Sequence, residues 1–156
     1  MVTIEEQQNR EEFRRWLHAR APTKAIAVTI TFRRQVTVEE ARSAMTKFCR
    51  MLNLKAYGSS FKTGRNRLAI IPVQEGGDGA SEKRVHYHLH LEVPVGWTTE
   101  AWTAAVAEKI KKIEEFGHEH FVVKPVWDSG WLNYCLKSRD KTSFADAIDV
   151  QNLWLN

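Results

Sequence analysis

The sequence predicts one α+β domain, an antiparallel sheet with helices on one face and the other face open, and three observations carry that expectation. Residues 24–33 and 85–94 alternate apolar and polar side chains with period two, as half-buried strands do. Residues 37–54 and 98–113 repeat apolar side chains at helical spacing behind a threonine cap. The chain has 156 residues, enough for one core and short for two.

Taken in order, residues 3–21 set Ile4, Phe13, Trp16 and Leu17 sparsely among charges, which predicts a surface helix, an appendage over residues 1–22 that Pro22 closes. In the first strand Ile26, Val28, Ile30 and Phe32 face one way and Ala27, Thr29, Thr31 and Arg33 the other. Thr37 is an N-cap with Glu40 completing a capping box, and Ala41, Met45, Phe48, Cys49 and Leu52 form the buried stripe behind it. Residues 57–66 are expected as a polar, basic loop. Residues 67–75 and 85–94 are strand-like runs joined by Gly76-Gly77-Asp78-Gly79, a hairpin signal. Thr98 or Thr99 caps a helix through Trp102, Val106, Ile110 and Ile113, stopped by Gly117; residues 120–127 return as a strand, and Ser129 starts a short helix to Lys137. In the tail, residues 141–156, Phe144, Ile148, Leu153 and Trp154 suggest docking. The order β-α-β-β-α-β over residues 24–139 matches a ferredoxin-like, RRM-like split sheet.

Lys and Arg number 23 against 19 Asp and Glu, for a net charge of +4 and an isoelectric point near 9.2, a weak preference for polyanions. No G-x-x-x-x-G-K-[ST] loop occurs, so an ATPase motor, where one is needed, is borrowed. Cys49 and Cys135 lack metal-site spacing and predict reduced thiols in a cytoplasmic compartment. No apolar run approaches the roughly 18 residues of a membrane span, and the Glu- and Gln-rich start is unlike a secretory signal.

The run from Val85 to Val93 alternates without a fault. Val85, Tyr87, Leu89, Leu91 and Val93 line the core, leaving His86, His88, His90 and Glu92 on the open face. Next-but-one strand residues lie roughly 6.5 to 7 Å apart, so adjacent imidazoles can lean onto one divalent ion. Such an ion needs a third ligand, usually a carboxylate. If Leu68 and Ile70 pack inward, parity puts Ala69, Ile71, Val73 and Glu75 beside the histidines, and Glu75 is the first candidate. A bulge at Pro72 would bring Gln74 instead, and Glu82 or His86 are further candidates. His118-Glu119-His120 repeats the spacing at a helix end and is expected at the surface or behind the site. Tyr134 and Lys137 share a helix face at i, i+3, with Leu132 and Leu136 free to face the sheet. A tyrosine with an ordinary pKa near 10 becomes a nucleophile only where something favours phenolate.

Together these residues resemble the HUH endonucleases of the replication-initiator class, in which a His-hydrophobic-His strand precedes a helix bearing Tyr-x-x-Lys. His88-Leu89-His90 matches the first motif, Tyr134-Cys135-Leu136-Lys137 the second, and residues 28–32 look like the strand motif that precedes them. The resemblance implies Mg²⁺ or Mn²⁺ on His88, His90 and Glu75, attack by Tyr134 on a phosphate of single-stranded DNA at a replication origin hairpin, and Lys137 stabilising charge. It implies a 5′-phosphotyrosine link, a free 3′-OH that primes rolling-circle replication of a plasmid, phage or virus, and a host or separately encoded helicase. Thr29, Thr31, Arg33, Lys124 and the loop residues Lys62, Arg65 and Arg67 would then hold phosphates, with Trp127 available for stacking. Three other readings compete. A single-tyrosine transposase has the same motif order, histidine-triad nucleotide hydrolases nearly match residues 86–92 without a metal, and a non-catalytic RRM-like domain shares the fold but should expose aromatics on its sheet.

Overall fold

The Thr37 hydroxyl accepts from the Glu40 amide while the Glu40 carboxylate accepts from the Thr37 amide, both at 3.1 Å, so the longest helix starts where its capping box places it. The computed structural model describes residues 3–77, 84–136 and 147–156. Within them lie α1 (Ile4–Arg20), β1 (Ala25–Ile30), α2 (Val38–Tyr57), α3 (Ser59–Lys62), β2 (Ile70–Glu75), β3 (His86–Glu92), α4 (Thr99–Ile110), β4 (Val122–Pro125) and α5 (Gly130–Cys135). The architecture is α+β. Its four strands form one antiparallel sheet in the order β2-β3-β1-β4.

One sheet face carries the main core. Ile26, Val28 and Ile30 of β1 and Tyr87, Leu89 and Leu91 of β3 pack against Met45, Phe48 and Leu52 of α2 and Trp102, Val106 and Ile110 of α4. Each fully buried aliphatic or aromatic side chain here contributes about 1.5–3 kcal/mol by leaving water. Leu68 and Ile70 join this core, and β2 pairs with β3 without interruption through Pro72, so no bulge shifts the parity.

Two features depart from expectation. Residues 57–66 are not simply loop. α2 runs on to Tyr57, Gly58 ends it at a φ of 54° that suits glycine, and the single turn α3 follows. Buried Asn53 fastens this connection, since its Oδ1 accepts from the Leu68 amide at 2.8 Å. The second departure concerns the face expected to be open, which is covered over its β2 half. Ile71 and Val73 pack there with Leu17 of α1, with Leu132, Cys135 and Leu136, and with Ala147 and Ile148. Thus α1, mostly exposed as a surface helix should be, is nevertheless anchored through a fully buried Leu17 and a bond from Arg14 Nη2 to the Leu136 carbonyl.

Within the C-terminal tail, Ile148, Leu153 and Trp154 dock as expected, and Phe144 lies outside the described residues. Ile148 bridges to Val73 and Trp154 to Ile70 along the outer side of β2. Around that edge Asp149 is buried, accepting from the Tyr87 hydroxyl at 2.8 Å and the Asn152 amide at 2.7 Å. Both cysteines are free and buried, and burial pushes the Cys49 thiol up to about 12 and the Cys135 thiol up as well. Among the described residues no helix is long and apolar enough to cross a membrane.

Candidate metal centre and nucleophile

The hairpin register sets His86 opposite Glu75 and His88 opposite Val73, while on its other side β3 sets His88 opposite Thr29. Parity therefore delivers Glu75 to the histidine face. Its Oε2 lies 3.0 Å from His86 Nε2 and 3.5 Å from His88 Nε2. Ligand atoms of Glu75, His86 and His88 all fall within 4.8 Å of one another.

Hydrogen-bond roles make this group suited to a cation. His86 Nδ1 is 3.0 Å from the Arg84 carbonyl, which can only accept, so Nδ1 carries a proton. His86 Nε2 faces the Glu75 carboxylate, which also only accepts, so this nitrogen must either carry a second proton or meet a metal ion. Burial acts to raise the Glu75 carboxyl, but His86 and His88 beside it outweigh burial and hold it at about 2. His88 Nε2 is buried with no hydrogen-bond partner, an orphaned atom that metal ligation would satisfy. Its Nδ1 lies 3.1 Å from the Thr29 hydroxyl, a contact that fixes the ring and, with Nδ1 donating, leaves Nε2 its lone pair. Two imidazoles and a carboxylate are donors that Mg²⁺ or Mn²⁺ can accept, the imidazoles favouring Mn²⁺ of the two.

His90 does not join this group. Its Nε2 donates to the Pro22 carbonyl at 2.9 Å, in the connection between α1 and β1, and the residue is buried. Burial lowers its pKa, against the opposing effect of the Pro22 bond, which favours the neutral ring. Of the expected ligands His88, His90 and Glu75, the structure brings His88 and Glu75 together, with His86 rather than His90 beside them. Gln74 stays on the helix face, its amide 3.4 Å from the Tyr87 hydroxyl. Glu82 and Lys137 lie outside the described residues.

Tyr134 comes over this centre from α5. Its ring meets that of His88 at 74° with centroids 5.5 Å apart, and the residue is 43% exposed. Sequence reasoning passed over Trp131, although i, i+3 spacing puts it on the face of Tyr134. It stacks on the tyrosine at 5.8 Å, meets His88 edge-on at 5.4 Å, and donates its indole N–H to the Leu89 carbonyl at 3.0 Å.

His88, Thr29, Lys124, Trp131 and Tyr134 line one cavity of about 510 Å³, with Trp127, 89% exposed, on its wall. Thr31 and Arg33 line a neighbouring groove at the end of β1. Arg65 and Arg67 are not brought to the tyrosine. Arg65 sits in the turn after α3, its amide bonded to the Ser60 carbonyl, and the Arg67 guanidinium lies 4.2 Å above the Trp154 ring. His118 donates to the Ile113 carbonyl through Nε2 and stands apart from the Glu75 group.

A cation-ready cluster beside an accessible phenol suits nucleophilic attack on an electrophile that carries negative charge, such as a phosphodiester. Comparison of the chain with protein-family models, with curated proteins and with solved structures returns no match.

Proposed function

We propose that the protein is a metal-dependent nicking and joining enzyme for single-stranded DNA, of the HUH replication-initiator kind, with Tyr134 as nucleophile. The observation that carries this reading is the edge-on approach of Tyr134 to His88, which itself stands with Glu75 and His86 in one ligand group. The strand order β2-β3-β1-β4, with β3 and β1 at its centre, supports the ferredoxin-like arrangement that such enzymes share.

Glu75, His86 and His88 would hold Mg²⁺ or Mn²⁺, which when bound supplies Lewis-acid polarisation of a phosphoryl oxygen. Thr29 orients His88, and Trp131 holds the Tyr134 ring against it. The Tyr134 oxygen attacks phosphorus and loses its proton to water. The P–O3′ bond breaks and the departing oxygen takes up a proton, leaving a 3′-OH and a 5′-phosphotyrosine. Reversal by a 3′-OH rejoins the strand, because the ester stores the bond energy. Lys124, in the same cavity, gives a cation for a strand phosphate, and Lys137 would stabilise developing charge as the motif implies. The free 3′-OH would prime rolling-circle replication, with unwinding by a separate helicase.

The histidine-triad alternative needs its imidazoles at one phosphate, and the engagement of His90 with Pro22 counts against it. The deciding experiment mixes the protein with labelled single-stranded origin DNA and Mn²⁺ and looks for an adduct stable to SDS. Tyr134→Phe abolishes the adduct; an adduct retained by that variant would refute the assignment.

A further inference from the structure

The groove beside the tyrosine cavity has about 540 Å³ and is walled by Thr31, Arg33, Arg84, His118, Glu119 and His120. Its lining residues carry two guanidiniums and two imidazoles against one carboxylate, with one imidazole, His118, bonded to the Ile113 carbonyl. Among the described residues neither arginine pairs with a carboxylate. Arg33 spends one N–H on the Glu114 carbonyl at 3.3 Å and keeps the rest of its fork available.

The groove is built rather than accidental. Its far wall, the loop after α4, is clasped to the end of β1 by the Phe32–Phe116 bridge, by Gly117 N–H donating to the Thr31 carbonyl at 2.8 Å, and by the Thr31 hydroxyl donating to the His120 carbonyl at 2.7 Å. A Cβ on Gly117 would come within 2.6 Å of Thr31 Oγ1, so only glycine lets the loop close this far without displacing Thr31. The clasp therefore sets Arg33 and the 118–120 loop against each other before any ligand arrives.

Its position links it to the metal centre along two strands. Thr29 pairs with His88 and the ladder ends one pair on, at Ile30 and Tyr87; Arg33 follows the end of β1 and Arg84 precedes the start of β3. Arg33 stands four residues after Thr29 and Arg84 four before His88, a reach of at most about 13 Å at strand rise, and both line the groove rather than the tyrosine cavity. That placement suits another phosphate of the same strand rather than the scissile one.

We propose that this groove is a second anion site that takes a neighbouring phosphodiester of the single strand whose scissile phosphate lies at Tyr134. The inference rests on the proposed nicking function and names how that strand is tracked: Arg33 and Arg84 each contact a phosphate oxygen, and the 118–120 loop forms the far bank.

The test measures binding of a labelled single-stranded oligonucleotide pool to the full chain across a KCl series, in EDTA so that no strand is cut. Each phosphate neutralised contributes a slope of about 0.7 in log affinity against log salt for single strands, so loss of the one groove phosphate in Arg33→Gln with Arg84→Gln lowers the slope by about 0.7. Both arginines are exposed, so the double variant keeps the thermal midpoint of the parent. A parent that forms the SDS-stable adduct while the double variant keeps the full salt slope would overturn the groove and leave the nicking reading standing. Absence of any adduct, with the slope still reduced in the double variant, would remove the nicking reading and keep the groove as a strand site. Titration with inorganic phosphate alone separates the other source of this chemistry. Arginine-dependent phosphate binding with an unchanged DNA slope would make the groove a site for free anions and overturn the proposal.

Discussion

Trp131 lies flat against Tyr134, the two rings inclined by only 22° with centroids 5.8 Å apart, and its indole is pinned to the backbone of the histidine strand. The nucleophile is thus located by its neighbour as much as by its own helix. Trp131→Ala should slow adduct formation at saturating DNA by about 10- to 100-fold, the scale on which misplacement by an ångström acts. Mn²⁺ affinity should stay within about 3-fold, since the hydrogen bond that orients the ligand His88 comes from Thr29 rather than from the indole. Trp131→Phe, which keeps an aromatic ring against Tyr134 but loses the N–H and part of the stacked area, should recover part of the rate. An equal loss of metal binding in Trp131→Ala would assign the indole to the ligand shell instead.

The ligand set makes a sharp prediction. His86→Ala should weaken Mn²⁺ binding in calorimetry by at least about 10-fold, and Glu75→Gln likewise, whereas His90→Gln should change it by less than about 3-fold. The reverse ranking would return the ion to His88 and His90.

Acid should act on the same cluster in two ways. Imidazole ligands bind a metal ion through an unprotonated nitrogen, so affinity at Glu75, His86 and His88 should rise with pH as the ion displaces a bound proton. Calorimetry in buffers of different ionisation heat counts that proton, and a buffer-independent heat would contradict the assignment. Separately, the Glu75 carboxyl sits at about 2 in the fold against a reference value of 4.5. Its stabilising contribution is therefore complete above the reference value and is lost as pH falls toward 2. In urea unfolding without metal, the stability gap between the parent and Glu75→Gln should narrow as pH drops through that window; a gap that widened would reverse the sign.

Leu17 tests whether α1 belongs to the domain. The side chain is fully buried against β2 and α5, so Leu17→Ala should lower unfolding free energy by about 2–4 kcal/mol. A helix that merely hung from the chain would show a change within about 0.5 kcal/mol.

Much of this was legible in the sequence. Period two in residues 85–93 placed three histidines on one face, and parity from Leu68 and Ile70 carried Glu75 to them across the hairpin. Parity could not choose between the two His-x-His pairs, because all three rings satisfy it equally. A bond to Pro22, 68 residues earlier, sets His90 apart from the Glu75 group, and no local pattern encodes such a contact. The turn α3 escaped notice because four residues are too few to show a period. Coverage of half the histidine face was hidden for a similar reason: Leu17 is the one buried residue of α1, too little to make an apolar stripe.

The docking of the C-terminal segment has a consequence for the outer margin of the sheet. β2 is an edge strand, yet Ile70 exchanges both backbone bonds with Trp154, and the Pro72 carbonyl accepts from Asp149 N–H. Residues 147–156 therefore act as a guard rail that occupies donors and acceptors a second polypeptide could otherwise use. Removing them would bare a flat apolar margin carrying Ile70, Ile71 and Val73, and would turn an occupied edge into a template for self-association. The opposite margin, β4, is guarded more simply, by being four residues long and ending in Pro125.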